Sequence, residues 1–374
     1  MGRAEAALTC SLMTLLTLGV GPVAAALVAR LGHRLTTLLG VLLASAGLLA
    51  AGTYIRVAGE GQSILVVHLT VGGMVGLGFG LMYLPAMDIV PHFFSRRLGL
   101  ATGLAAAGSG VGQMVLAPVL HLATASLGLA TTLQCLAGLV ACAALFALLY
   151  KLPGELNYRG ISPSVSRRSS AEAIEGGEVT VNKDTPDRTC KLTLLLLLTS
   201  HFLFNIGVFS TFTFTTDRAV QRNLTPAQSS LLLSIMGISN CFGRIFFGLI
   251  LDRFRQHAIV LTVSVMTLNA AAILASDLLP DLLGQAAFST IFGLTFGCYI
   301  SSVVVILSLL CPSITTPLGL TLLTVGISSL AGPLAVGGLY DLTGGHTMGF
   351  LVAGGLAAVG ALLPLLLPRP RECS

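Results

Sequence analysis

Long apolar stretches occupy most of this chain. Eleven of them cover residues 7–30, 35–55, 64–87, 99–121, 129–150, 192–216, 228–250, 258–276, 283–310, 318–339 and 349–367. Each is close to the roughly 20 residues that an α-helix needs to cross the hydrocarbon core of a bilayer. Only 9% of the 374 residues are charged, against roughly 25% in a soluble globular protein. The sequence therefore predicts an all-α membrane protein with about 11 transmembrane helices embedded in a lipid bilayer.

One long polar insert divides the chain into two parts. Residues 1–150 hold five apolar stretches, residues 151–191 form the insert, and residues 192–374 hold six stretches and a short tail. The serine-rich, charged composition of the insert is typical of a disordered loop. Most basic residues fall on the side of the insert, so the positive-inside rule predicts that both the insert and the C-terminus are cytoplasmic.

The two parts also share a sequence pattern at corresponding loops. Arg30 ends the first stretch and Arg34 follows it, while Asp252, Arg253 and Arg255 follow the seventh, so both stretches lead into a very short basic loop. Many transporters consist of two related six-helix halves joined by a long loop. Because only five stretches precede the insert, we expect two pseudo-symmetric bundles, with one helix missing from the front of the first.

Arg244 is the residue most indicative of function. It lies about mid-way along the apolar stretch at residues 228–250. A charge at bilayer depth costs at least about 2.5 kcal/mol and usually faces a watery cavity or a counter-charge. Holding an anion in transit is the obvious use of such a charge. The alternative is that Arg244 pairs with a backbone carbonyl or extends toward the membrane surface.

Other classes of function have little support in the sequence. No constellation of catalytic residues occurs, so no enzyme is predicted. The eight cysteines show no CxxC or metal-ligand spacing, so neither a metal nor another cofactor is expected. The net charge of +5 is spread over short loops and is no evidence for nucleic acid.

Several motifs resemble those of known transporters. Gly248, Asp252 and Arg253 resemble the Gly-x-x-x-Asp-Arg signature of the major facilitator superfamily. The run from Phe93 to Ser109 has an aromatic pair, the basic residues Arg96 and Arg97, and then a small-residue helix start. It resembles the signature that enters the fifth helix of monocarboxylate transporters, in solute carrier family 16. Similarity to that family extends over nearly the whole chain, but the acidic-Gly-aromatic run that opens the family's first helix is absent.

The resemblance implies a function. Family members move small monocarboxylates such as lactate or pyruvate across the plasma membrane by alternating access, often together with protons, and often need a single-span immunoglobulin-type chaperone. Arg244 matches the arginine that binds the substrate carboxylate, for which a guanidinium fork is well suited. Phe296 resembles an aromatic residue of the substrate pocket.

Asn240 departs from the family pattern, because proton-coupled members carry aspartate at this position. An amide cannot take up the proton, so a missing first helix or His201 would have to supply the titrating group. The alternatives are an uncoupled facilitator of another substrate, such as an amino acid or zwitterion, and a truncated chain that does not transport.

Further polar or flexible side chains within the apolar stretches are candidate substrate contacts. Their alternative role is helix packing through hydrogen bonds or van der Waals contact. These candidates are His201 and Asn205, one helical turn apart, Tyr299 and Ser301 near Phe296, and Met13 and Thr17 in the first stretch.

Overall fold

The structure, a computed structural model, describes residues 3–58, 63–94, 96–150, 188–279, 281–311 and 313–366. Within these ranges the chain forms helices and turns and contains no strand. The predicted loop at residues 151–191 lies outside the described residues, apart from residues 188–191, which begin a helix.

Short connections join the helices within each part of the chain. The first part of the chain contains α1 (Arg3–Gly19), α2 (Gly21–Ala58), α3 (Ile64–Val67), a π-helical segment (His68–Val75), α4 (Gly76–Asp88), α5 (Val90–Phe93), α6 (Leu98–Leu127) and α7 (Leu129–Ala147). The second part contains α8 (Arg188–Gln221), α9 (Pro226–Arg253), α10 (Ala258–Ala275), α11 (Leu282–Leu310), α12 (Thr315–Thr343) and α13 (His346–Leu362).

The membrane class is confirmed, although the helices divide differently from the predicted stretches. In the described part, nine helices are long and apolar enough to cross a bilayer. The first predicted stretch covers most of the 17-residue α1 and the beginning of α2, and the second covers most of the remainder of α2. Gly32 separates these two segments of α2, because its φ of 80° and ψ of 166° are not helical. A positive φ of this kind suits glycine, which has no Cβ to clash.

Local sequence sets the start of α9, the helix that carries Arg244. The hydroxyl of Thr225 accepts a hydrogen bond from the backbone N–H of Gln228 (3.3 Å). The side chain of Gln228 in turn accepts one from the N–H of Thr225 (2.9 Å). Together with Pro226 at the first helical turn, this capping box defines where the helix begins.

The helices pack as two bundles, α1–α7 and α8–α13. The bundles meet along two seams, one between α6 and the pair α9 and α11, and one between α12 and the pair α1 and α2. Glycines allow the backbones to touch along both seams, because a Cβ on Gly99 would overlap the carbonyl of Gly248, and one on Gly21 would overlap that of Gly319. Close approach at small residues is the usual basis of helix packing in membranes.

Both seams lie toward the same end of the molecule. Exposed arginines of the loops, Arg34, Arg96, Arg97 and Arg253, lie at this end, which we call the basic end. The seam contacts involve the first halves of α6 and α12 and the last half of α9. The bundles are therefore closed against each other at the basic end.

Candidate functional site

A central cavity of about 600 Å³ lies between the bundles and extends from Arg244 away from the basic end. Helices α1, α8, α9, α11 and α12 contribute its lining. The wall is mainly apolar and aromatic, including Phe209, Phe212 and Phe296. Arg244 is the only charged residue among the described residues that line it, so an anion entering this cavity meets a single positive charge.

Arg244 connects the two bundles at the base of the central cavity. Its Nη1 donates hydrogen bonds to the carbonyl of Ala106 and to the hydroxyl of Ser109, both on α6. Pairing with a carbonyl was the alternative suggested by the sequence, and it occurs here together with exposure to the cavity. The Nε of Arg244 is buried without a hydrogen-bond partner in the described part of the chain. A guanidinium has five N–H donors, and the bonds to α6 use only those of Nη1, so the donors of Nη2 are the ones left for an anion.

Ser301 acts on the backbone behind Arg244. Its hydroxyl donates to the carbonyl of Arg244 (2.8 Å), and the side chain is fully buried. Ser301 does not belong to the described lining of the central cavity. Ser301, predicted as a substrate contact, therefore holds the backbone of α9 in place instead.

Asn240 lines the same cavity one turn before Arg244. Its Nδ2 donates to the carbonyl of Gly293 on α11 (3.3 Å). This bond is the interhelical contact that the sequence left open as an alternative. The amide oxygen and nitrogen of Asn240 cannot exchange a proton near neutral pH, so this position offers polarity to a substrate without titration.

His201, Asn205 and Tyr299 form a hydrogen-bonded cluster in the second bundle. The Tyr299 hydroxyl lies 2.6 Å from Nδ1 of His201 and accepts a bond from Nδ2 of Asn205 (2.8 Å). Asn205 and Tyr299 line a second pocket of about 140 Å³, together with Tyr83 of the first bundle. His201 is buried behind Tyr299 and lines neither this pocket nor the central cavity in the described part.

Phe296 lies between the second pocket and the central cavity. Its side chain lines both spaces, and its ring stacks on Tyr299 with a centroid distance of 6.2 Å. Phe209 also borders both. Phe296, predicted as a pocket residue, therefore borders both spaces.

The two candidates on α1 lie elsewhere. Met13 packs against the core residues Leu48, Val75 and Ala137, and Thr17 lines a separate groove of the first bundle. Thr14 lines the central cavity instead. Successive helical residues are about 100° apart around the helix axis. A small error in the predicted rotation of α1 about this axis therefore changes which of Met13, Thr14 and Thr17 faces the central cavity. Thr14, Tyr83 and Phe209 are pocket residues that the sequence reading did not single out.

The motif residues lie at the basic end, where they join the bundles. Gly248 contacts Gly99, and the carboxylate of Asp252 accepts hydrogen bonds from the backbone N–H groups of Gly99 (2.6 Å) and Leu100 (2.9 Å). An acidic residue of one bundle therefore caps the start of α6 in the other, where helix N–H groups and the helix dipole favour a negative charge.

Arg97 directly precedes α6 and Arg253 ends α9, and the side chains of both, like that of Arg96, are exposed. No cluster of three or more histidine, cysteine or acidic residues able to hold a metal occurs in the described ranges.

Comparison with known proteins identifies the family. Residues 1–315 match the Major Facilitator Superfamily, and the chain belongs to this superfamily. It is a multi-pass membrane protein of a transporter class. It is 29% identical to rat monocarboxylate transporter 3, with 94% of this chain and 70% of that protein covered. Human monocarboxylate transporter 12 is 27% identical, again with 94% and 70% covered. The predicted resemblance to monocarboxylate transporters is thus confirmed.

Solved structures confirm the fold with its two pseudo-symmetric bundles. The Escherichia coli fucose:proton symporter FucP superposes with a TM-score of 0.72 at 14% identity, covering 98% of this chain and 91% of that one. The human organic anion transporter MFSD10 gives a TM-score of 0.70 at 18% identity, covering 96% and 83%. At these sequence identities the similarity shows the fold alone.

Proposed function

We propose that the chain carries a small organic anion of the lactate or pyruvate type across the plasma membrane. The observation that carries this proposal is the position of Arg244 at the base of an otherwise uncharged central cavity. A carboxylate fits the unpaired side of the guanidinium, because charge-assisted hydrogen bonds are short and comparatively strong. The relatives named above are monocarboxylate transporters, which supports the same substrate class.

The aromatic wall supports a substrate with a carbon skeleton next to its carboxylate. Phe209, Phe212 and Phe296 offer apolar surface beside Arg244. Ligand sites of this type combine a mostly apolar lining with a few polar groups that orient the ligand. A fully hydrated inorganic anion would gain little from such a wall, which favours an organic anion.

Transport would proceed by alternating access. If the basic end is cytoplasmic, as the positive-inside rule predicts, the central cavity opens to the outside in this structure. The second conformation requires the two bundles to separate at the contact of Asp252 with the start of α6 and at the seam formed by α12. Rocking of two repeats around a site near the midplane is the established behaviour of such folds.

Proton-linked symport is our proposal for the energetics, and an uncoupled facilitator is the second candidate. The second candidate rests on Asn240, which bonds to a backbone carbonyl and cannot titrate. An amino acid or zwitterion would suit an uncoupled site better than a bare anion, since its own positive group offsets its carboxylate.

Uptake of radiolabelled lactate, pyruvate, 3-hydroxybutyrate and amino acids in oocytes tests the substrate class, with and without an inward proton gradient. We expect uptake of at least one monocarboxylate that disappears in Arg244→Ala at equal surface expression. Uptake of amino acids alone, without proton stimulation, would favour the facilitator.

Surface delivery is a separate proposal. We propose that a single-span immunoglobulin-type chaperone assists it, and co-expression of such a chaperone should raise surface labelling of the chain.

A further inference from the structure

A buried histidine–aspartate pair lies at the basic end, apart from Arg244. Nε2 of His33 on α2 is 2.9 Å from Oδ2 of Asp88 on α4. Asp88 is 0% exposed and His33 is 8% exposed. The hydroxyl of Thr315, the first residue of α12, donates to the same Oδ2 (3.0 Å). Because α12 belongs to the other bundle, the pair forms part of the seam that closes the basic end.

Other ionisable groups near the pair are few. His92 on α5 faces His33 edge-on, with ring centroids 5.7 Å apart, and its Nδ1 donates to the backbone carbonyl of Asp88 (3.0 Å). Arg34, next to His33 on α2, is exposed. Thr315 is the polar contact from α12. His92 is therefore an ionisable group in direct contact with the pair.

The carboxylates at the two seams, Asp252 and Asp88, differ in how many of their oxygens have hydrogen-bond partners. Both oxygens of Asp252 accept backbone N–H groups of α6. In the other seam, Oδ1 of Asp88 and Nδ1 of His33 are buried without a hydrogen-bond partner in the described part of the chain. A buried carboxylate facing a neutral imidazole leaves a net negative charge away from water, which is unfavourable. One added proton neutralises the pair, and the two unpaired atoms are the places that can receive it.

We propose that His33 and Asp88 together bind one proton while the basic end is closed and release it when that end opens. In the symport cycle the proton comes from the side of the central cavity while the basic end is closed, adds at Nδ1 of His33 or Oδ1 of Asp88, and leaves on the side of the basic end after opening; no other bond forms or breaks. Opening removes Thr315 and the start of α12 from Asp88, and water then stabilises the deprotonated pair. This inference rests on the proposed function and supplies the titrating group that Asn240 cannot.

The pair is also placed to communicate with the anion site. The second pocket is lined by Met87, which precedes Asp88, and by Leu318, three residues after Thr315. It shares Phe209 and Phe296 with the central cavity. The lining of this pocket therefore includes neighbours of the pair in sequence and two residues of the wall that also contains Arg244.

Transport by the full chain in liposomes gives the first test, with radiolabelled lactate, pyruvate and 3-hydroxybutyrate as probes. A one-to-one proton symporter can accumulate its anion about tenfold for a gradient of one pH unit. We expect such accumulation in the wild type and in His257→Gln, which changes an exposed histidine of the basic end. Accumulation should be absent in His33→Gln and Asp88→Asn, while exchange at equal pH stays measurable.

The outcomes separate the two proposals. Absence of Arg244-dependent exchange in the wild type would defeat the proposed function. Exchange with undiminished accumulation in His33→Gln would overturn the proton site and leave the function standing. Loss of accumulation in His201→Gln but not in His33→Gln would move the proton to the Tyr299 cluster, against our proposal. Exchange without any accumulation in the wild type would likewise contradict it.

Hydrogen exchange provides a second test that needs no substrate. The amides of Gly99 and Leu100 are protected by Asp252 across the other seam, so their exchange reports opening of the basic end. If closing binds one proton, the open fraction rises by up to about tenfold per pH unit. Exchange corrected for its intrinsic pH dependence should therefore be faster at pH 8 than at pH 6.

Both pair variants should abolish this pH dependence, and the amide of Gln228 at the start of α9 should show none in any protein. Equal corrected exchange at both pH values in the wild type would overturn the proposal, as would an unchanged pH effect in His33→Gln.

Discussion

Replacing Asp252 by asparagine should release the closed state of the basic end. The carboxylate accepts two backbone N–H groups of α6 at 2.6 and 2.9 Å. A hydrogen bond to a charged group contributes about 1.5–3 kcal/mol, and the helix dipole adds about 0.3–1 kcal/mol. Water satisfies the same groups after opening, and the amide retains one acceptor oxygen. We therefore expect a loss of about 2–3 kcal/mol, which corresponds to a change of about 30- to 150-fold in the ratio of closed to open molecules.

Spin labels at Arg34 on α2 and Thr316 on α12 would measure this change, in a background without native cysteines. Both positions are exposed and lie across the seam that does not contain Asp252, so the labels leave the perturbed contact intact. Electron–electron distance measurement should give a single short distance in the parent and a second, longer one in Asp252→Asn. Asp341→Asn, an exposed acidic residue of α12, is the control with the same charge change. Matching distance distributions in the two variants would refute the argument that Asp252 holds the bundles together.

Three further results are expected. Tyr299→Phe leaves buried His201 and Asn205 without a shared partner, so it should lower the free energy of unfolding by about 1–3 kcal/mol. Tyr340→Phe, which loses an exposed bond from Gln221, should change it little, as thermal unfolding in detergent will show. Epitope tags at Ser169 and after Ser374 should stain only after permeabilisation, and staining of intact cells would reverse the proposed orientation. Asn240→Asp should transport with a pH dependence that differs from the wild type, and identical pH profiles would mean that position 240 plays no part in coupling.

The fold could largely be predicted from the sequence because helices that span a bilayer have a simple sequence pattern. Runs of about 20 apolar residues have few alternatives to a spanning helix. The division of α2 was harder to predict, since Gly32 looks like any other of the 43 glycines. Its backbone conformation becomes informative only in three dimensions.

The site was readable only where a residue was chemically unusual. Arg244 stands out because charges at bilayer depth are rare, whereas Thr14 resembles the threonines that merely bond to their own helix. The rotation of α1, which selects Thr14 over Met13 and Thr17, depends on packing against α4 and α12. An apolar sequence does not encode that rotation locally.

The proton site depends on contacts that the linear sequence hides. His33 and Asp88 are 55 residues apart, and Thr315 lies 227 residues beyond Asp88. In the sequence, Asp88 appears only as an acid at the end of an apolar stretch. Its burial and its contact with the second bundle follow from the way the two bundles close.

Uptake by Arg244 variants tests the central claim most directly. Arg244 bonds to α6 through Nη1 and has other donors left for the anion. A lysine ammonium is a single point charge without the guanidinium fork and cannot serve both directions in this way. At matched surface expression, we predict that Arg244→Lys and Arg244→Ala both lose monocarboxylate uptake. Near-normal uptake by Arg244→Ala would contradict the account and remove the arginine from the mechanism.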